Sequence, residues 1–284
     1  MRLFAFVVLA SAVALTFGVR HGGPPASAHM SPAARAHVRI VRLHAPTGEA
    51  RAVWIYRPGV PDSSRLPVVY FLHGVPGKPS DAFRAGLADS LRRYFSAGGR
   101  PFVAAVPDGN GGHHSDTEWA DARDGSDRVE TFVTQTVIRA VEGRHPRDAR
   151  HRAIAGFSMG GYGAMNLALR HPDLFGQVVS IAGYFHVDDP DGMFGGDAPT
   201  VHANSPDRHL RSARSLRILL MDADHDAQPV VRGESQRFYR LLRSAGIRAT
   251  LEIAPGTHNW AYAAAQFGAM ERFLNAGWAR GATT

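Results

Sequence analysis

Apolar and polar positions alternate over two early stretches, residues 37–44 (HVRIVRLH) and 51–57 (RAVWIYR). A period of two marks strands with one wetted face. Thr47-Gly48 lies between them and predicts a turn, so the pair reads as an antiparallel hairpin. Farther along the pattern changes. Residues 67–72 (PVVYFL), 101–106 (PFVAAV), 151–156 (HRAIAG), 177–182 (QVVSIA), 216–221 (LRILLM) and 248–254 (RATLEIA) are short, mostly apolar runs. Runs of this kind suit parallel strands covered on both faces. Helical spacing fills the gaps: Val129, Phe132, Val133, Val137, Ala140 and Val141 recur at steps of three and four, as do Val231, Phe238, Leu241, Leu242 and Ala245. Ala164, Leu167 and Ala168 place a helix directly behind Ser158, and residues 261–274 offer another.

A hairpin followed by repeated β-α units predicts an α/β domain over residues 37–284, with a mostly parallel eight-stranded sheet and helices on both faces. Such sheets bind ligands beyond the carboxyl ends of their strands, so candidate chemistry is sought there.

Gly156-Phe157-Ser158-Met159-Gly160 follows one strand and precedes a helix, matching G-x-S-x-G, in which a sharp turn exposes a serine. A serine hydroxyl is a weak nucleophile until a base removes its proton and an acid orients that base. In the α/β-hydrolase fold these partners follow in the order serine, acid, histidine. His258, in APGTHNWAY, is the only histidine after His225 and follows the last strand, where the base belongs. LLMDADHDAQP offers Asp222, Asp224 and Asp226 after an earlier strand. Asp226 lies far enough past the strand to sit on the loop; Asp222 is the reserve and Asp224 the least suited. Their spacing fails the calcium-loop pattern, because Ala227 and Gly233 stand where glycine and glutamate are required. No metal or cofactor is expected.

An oxyanion needs pre-placed donors. The backbone N–H of Met159, after the serine, is one, and that of Val75, in YFLHGVPG, is the other; His73 reads as structural. The loop PDGNGGHHSDTEW ends a further strand, and its His114 and Asp116, with Trp260 beside the candidate base, are expected to bind substrate. Within the insertion at 183–210, Tyr184, Phe185, Met193 and Phe194 could wall an acyl pocket.

Composition then narrows the classes. The chain of 284 residues has no cysteine, which excludes disulfides and cysteine chemistry. An uncharged run from Leu3 to Val19 and Ala26-Ser27-Ala28 predict an export signal over residues 1–28, cleaved, with an uncleaved anchor as the alternative; residues 29–36 read as a linker. Arg2 and Arg20 lie in that signal, which holds no acid, so the remaining chain carries +5, two less than the whole. The basic residues are scattered arginines with one lysine, Lys78, not interleaved with stacking aromatics, which argues against nucleic-acid binding. Attraction to an anionic cell envelope remains a compatible partner role.

VVYFLHGVPG, AGFSMGGYGAMNLALRHPDLFGQVVSIAG and PGTHNWAYAAAQ, in this order, resemble the esterase D-like α/β-hydrolases, a family that includes secreted mycolyltransferases of the antigen 85 type. The resemblance spans roughly residues 50–278. It implies Ser158 as nucleophile, His258 as base and Val75 with Met159 as oxyanion donors, and it transfers the acid less securely. The expected function is an exported serine esterase acting on small-molecule, lipid or sugar esters. An acyltransferase to a sugar hydroxyl is the alternative, and a non-catalytic envelope-binding protein the third.

Overall fold

The computed structural model describes residues 30–189 and 191–280. The proposed export signal lies outside them. Among the described residues, no helix is long and apolar enough to cross a membrane.

Eight strands form one sheet: β1 (Val38–His44), β2 (Ala50–Tyr56), β3 (Val68–Leu72), β4 (Val103–Pro107), β5 (Arg152–Phe157), β6 (Gln177–Ile181), β7 (Arg217–Ala223) and β8 (Thr250–Ala254). Their order is β1-β2-β4-β3-β5-β6-β7-β8. β2 pairs antiparallel with β1 and with β4, and every other pairing is parallel. The predicted hairpin closes through Gly48 (φ 101°), whose N–H donates to Ala45 O. This is the α/β-hydrolase architecture.

Side chains alternate across the central strand. Val69 and Phe71 of β3 join Phe83, Leu91, Phe102 and Phe267 on one face. Val68, Tyr70 and Leu72 join Phe132, Val137, Leu167 and Phe238 on the other. The first face is covered by the helices Leu87–Ser96 and Trp260–Arg280, and the second by the helices Met159–Arg170 and Glu234–Ser244 with the segment 129–142. Burying apolar surface at roughly 25 cal/mol per Å² is what holds the layers together. Within 129–142 the stretch Phe132–Val137 widens into a π turn, which the regular three- and four-residue spacing did not foretell.

Two expectations change. β8 is an edge strand with no fully buried residue, and Ile253 is 42% exposed; among the described residues no further strand pairs with its outer edge. Residues 30–36, expected as a linker, dock instead. Ser31 caps the helix Pro32–Arg35 through Ala34 N (3.2 Å), its own N–H donates to Asp89 Oδ2 (3.1 Å), and Ala34 is fully buried.

Candidate active site

β5 ends at Phe157, and the backbone turns at Ser158 (φ 59°, ψ −124°) directly into the helix Met159–Arg170. A residue with a Cβ resists positive φ by about 1–3 kcal/mol. The tight packing around it needs glycine: a Cβ on Gly156 would meet the Gly160 carbonyl oxygen at 2.1 Å, and one on Gly160 would meet the Leu72 carbonyl oxygen at 2.1 Å. The serine N–H donates to Ile181 O at the end of β6 (2.9 Å), which fixes the turn against the neighbouring strand.

His258 lies between β8 and the helix Trp260–Arg280. Its ring stacks on Phe157 (5.1 Å between centroids, 29° between planes), which in turn packs on Trp260 (5.0 Å). Nδ1 donates to Asp226 Oδ2 (2.7 Å), as a carboxylate acceptor dictates, and Nε2 then accepts from Ser158 Oγ (2.8 Å). All three side chains are buried.

The three aspartates after β7 have separate surroundings. Asp226 accepts from Gln228 N as well as from His258. Asp224 accepts from Gly256 N (3.0 Å), bracing the loop that carries His258. Asp222, within β7, is fully buried and accepts from Ala223 N (3.0 Å); burial, with the charge of Asp226 beside it, pushes its pKa up to about 7.

A cleft of about 290 Å³ opens over Ser158 and His258, with Val75 and Met159 at its edge. A larger hollow, about 660 Å³, lies among Arg214, Arg217 and Arg243 and holds none of these residues. Beneath Val75, His73 uses both ring nitrogens: Nδ1 donates to Gly74 O (2.9 Å) and Nε2 accepts from Gly109 N (3.0 Å). Trp119 Nε1 donates to the His73 carbonyl (3.1 Å). His73 therefore ties the loop after β3 to the loop after β4.

The expected substrate-binding residues divide. Asp116 lines the cleft. His114 does not: its Nδ1 and its backbone N–H both meet Asp127 Oδ2, at 3.0 and 2.9 Å. Asp127 also accepts from the N–H groups of Gly112 and His113, and these bonds hold its carboxyl down at about 2. Trp260 is 5% exposed and packs against Phe71 and Phe157 instead of facing the cleft. Of the four candidate wall residues in the insertion, Tyr184 reaches the cleft, whereas Phe185 stacks on Phe238 (4.2 Å) and Met193 and Phe194 enter the core. Glu118 lines the cleft and was not foreseen. No group of three or more metal-ligating side chains occurs among the described residues.

The model of the esterase family, described as "Putative esterase", matches residues 45–274. The chain belongs to this esterase family. An esterase of Mycobacterium tuberculosis is 27% identical over 260 aligned residues, which cover 72% of this chain and 55% of that protein. A Corynebacterium glutamicum protein is 26% identical over 239 residues, covering 75% and 54%. The chain thus spans about half the length of these two curated relatives. The MPT51 antigen of Mycobacterium leprae is 28% identical over 246 residues, covering 72% of this chain and 80% of the antigen. Among solved structures, a ferulic acid esterase superposes with a TM-score of 0.74 at 24% identity, covering 84% of this chain and 98% of the other. MPT51 of M. tuberculosis gives 0.67 at 21%, also covering 84% and 98%. At these identities the structural likeness of this esterase-family chain is one of fold.

Proposed function

We propose that this esterase-family protein hydrolyses carboxylic esters through an acyl-enzyme on Ser158. The relay Ser158 Oγ, His258 and Asp226, with successive contacts of 2.8 and 2.7 Å at the mouth of a cleft, carries the reading. Ser158 Oγ bonds to the ester carbonyl carbon while its proton passes to His258 Nε2, and Asp226 balances the imidazolium. The carbonyl oxygen becomes an oxyanion facing the N–H groups of Met159 and Val75; the first of these also stands at a helix N-terminus, where the dipole favours negative charge. Collapse breaks the bond to the alkoxide, which takes the proton from His258. Water then attacks the acyl-enzyme, His258 accepts its proton, and return of that proton to Ser158 Oγ releases the acid. A sugar hydroxyl replacing water in the second half would turn the same cycle into acyl transfer.

Fluorophosphonate labelling with peptide mapping, alongside p-nitrophenyl acetate turnover, tests the reading. Label on Ser158 is expected, and label on another serine would overturn it. Product analysis with and without sugar acceptors separates hydrolysis from transfer. We infer also that the protein is exported, from the apolar run Leu3 to Val19; fractionation of the expressing cell is the corresponding test.

A further inference from the structure

The lining of the cleft beside Ser158 combines apolar side chains, Val187, Val230 and Val231, with acidic ones. Asp116, Glu118 and Asp188 contribute carboxyl groups, and no lysine or arginine is among the lining residues. Asp188 has a side chain 90% exposed and lies 3.7 Å from Nε2 of His186, which also lines the cleft, so water and the imidazole share it. Asp116 and Glu118 are different. Glu118 is 1% exposed, and its one hydrogen-bonded oxygen, Oε2, takes the hydroxyl of Tyr184, which stacks on Tyr162 (4.8 Å, 7°). Neither acid forms an ion pair among the described residues, and Asp116 Oδ1 accepts only a long bond from Glu118 N (3.4 Å).

Three unfavourable terms meet at this place. Glu118 (φ 49°) and Trp119 (φ 52°) are consecutive non-glycine residues in the left-handed region, each carrying about 1–3 kcal/mol of strain. The Glu118 carboxyl is removed from water without a cation. Asp116 and Glu118 also repel each other when both are ionised, and each is held above the ordinary carboxylate range, mainly by burial. A purely structural wall would need none of this, since glutamine at 118 could still accept the Tyr184 hydroxyl. Asp116, whose pKa of about 6 leaves it largely ionised at pH 7, supplies what an amide supplies poorly, strong acceptance of donated hydrogens, while Glu118, which burial favours in its neutral form, adds the hydrogen-bonding capacity of its second oxygen.

We propose that Asp116 and Glu118 form the specificity wall of the cleft, selecting esters whose acyl or alcohol part carries a hydrogen-bond donor, hydroxyl or ammonium, and rejecting esters that carry a carboxylate. The inference rests on Ser158 being the nucleophile and adds the class of ester it receives. The wall is held in place by the loop's tie to the insertion: Ser115 N and Asp116 N donate to Asp191 Oδ2 at 2.6 and 3.1 Å.

The test compares kcat/KM over two matched series. One is p-nitrophenyl esters of acids ending in trimethylammonium, hydroxyl, methyl or carboxylate; the other is butyrate esters of alcohols with the same four ends. In at least one series the hydroxyl or ammonium member should exceed its methyl isostere about tenfold or more, since a hydrogen bond to a charged group is worth roughly 1.5–3 kcal/mol. The carboxylate member should fall below the methyl one. Asp116→Asn should erase most of an ammonium preference while sparing a hydroxyl preference, and Asp116→Asn with Glu118→Leu should reduce both to within about threefold of unity. The ratio between ends reports selectivity even if a variant loses overall rate. Equal rates for all four ends in both series, or ratios unmoved by the double variant, would overturn the proposal. So would a carboxylate ester turned over as well as its methyl isostere. Failure of the underlying reading looks different: p-nitrophenyl acetate would then be hydrolysed equally with and without Ser158.

Discussion

The two ends of β5 handle a buried glutamate in opposite ways. At the amino end, Arg152 begins the strand and meets Glu142 through Nε (2.7 Å) and Nη2 (2.9 Å), while Arg147 N and Tyr70 Oη donate to the same carboxylate. Both of its oxygens are satisfied by charge-assisted donors, and the hydrogen bonds and charge of Arg152, outweighing the effect of burial, hold its pKa down. At the carboxyl end, beyond Ser158, Glu118 has one tyrosine hydroxyl and no cation, and burial with the repulsion of Asp116 drives its pKa well up. A compensated buried carboxylate fastens the fold. An uncompensated one leaves hydrogen-bonding capacity for something else to fill, and it lies where strained backbone at Ser158, Glu118 and Trp119 is also concentrated.

The sharpest way to separate the two ends is to remove one function at a time. At the carboxyl end, Ser158→Ala should lower ester kcat/KM by roughly 10⁴- to 10⁶-fold with an unchanged melting temperature. Asp226→Asn should cost about 10⁴-fold by removing the partner that orients His258. Asp222→Asn should cost less than tenfold, because a carboxyl whose pKa is about 7 is substantially neutral at pH 7 and the amide replaces it closely. A larger loss from Asp222→Asn than from Asp226→Asn would reassign the acid. At the amino end, Arg152→Met strands Glu142 without its cation and should lower stability by about 3–5 kcal/mol in denaturant unfolding. Its kcat/KM per folded molecule should stay within a factor of about two; a large catalytic loss there would dissolve the distinction between the ends.

Much of this was legible in the sequence for physical reasons. Parallel strands buried on both faces must be apolar runs, and so β3 to β7 stand out within a residue or two of their bounds. Gly156 and Gly160 advertise the turn because no other residue fits there. Order and loop distance favoured Asp226 over Asp222, and the structure hydrogen-bonds His258 to Asp226. The misses have causes as well. His114 and Trp260 are near the site in sequence, but a carboxylate at Asp127 and the aromatic stack at Phe157 turn them elsewhere. Glu118 had no signal, because its direction depends on two positive φ angles at residues that rarely adopt them, and its partner Tyr184 lies 66 residues away. The Glu142–Arg152 pair was equally hidden, since charged residues at strand and helix ends usually face water.

The smallest effect is the most direct comparison of the two ends, and it is read in stability against pH. A carboxyl whose folded pKa is raised binds its proton more tightly in the folded chain than in the unfolded one. Stability falls as pH rises through the window between the two values. For Asp116 that window runs from 3.8 to about 6. Glu142 has the opposite sign: its folded pKa is lowered, so the stability it contributes is present above 4.5 and is lost as pH falls through the folded value. Melting temperatures of wild type, Asp116→Asn and Glu142→Gln, measured from pH 4 to 7, should therefore diverge in opposite directions. Asp116→Asn should gain on wild type by a few degrees as pH rises to about 6 and then level off. Glu142→Gln should already be at a disadvantage at pH 5 and show no recovery above it. Parallel curves for Asp116→Asn and wild type would mean that the carboxyl beside Ser158 is as well solvated as any surface acid, and the contrast between the ends would reduce to the Arg152 pair alone.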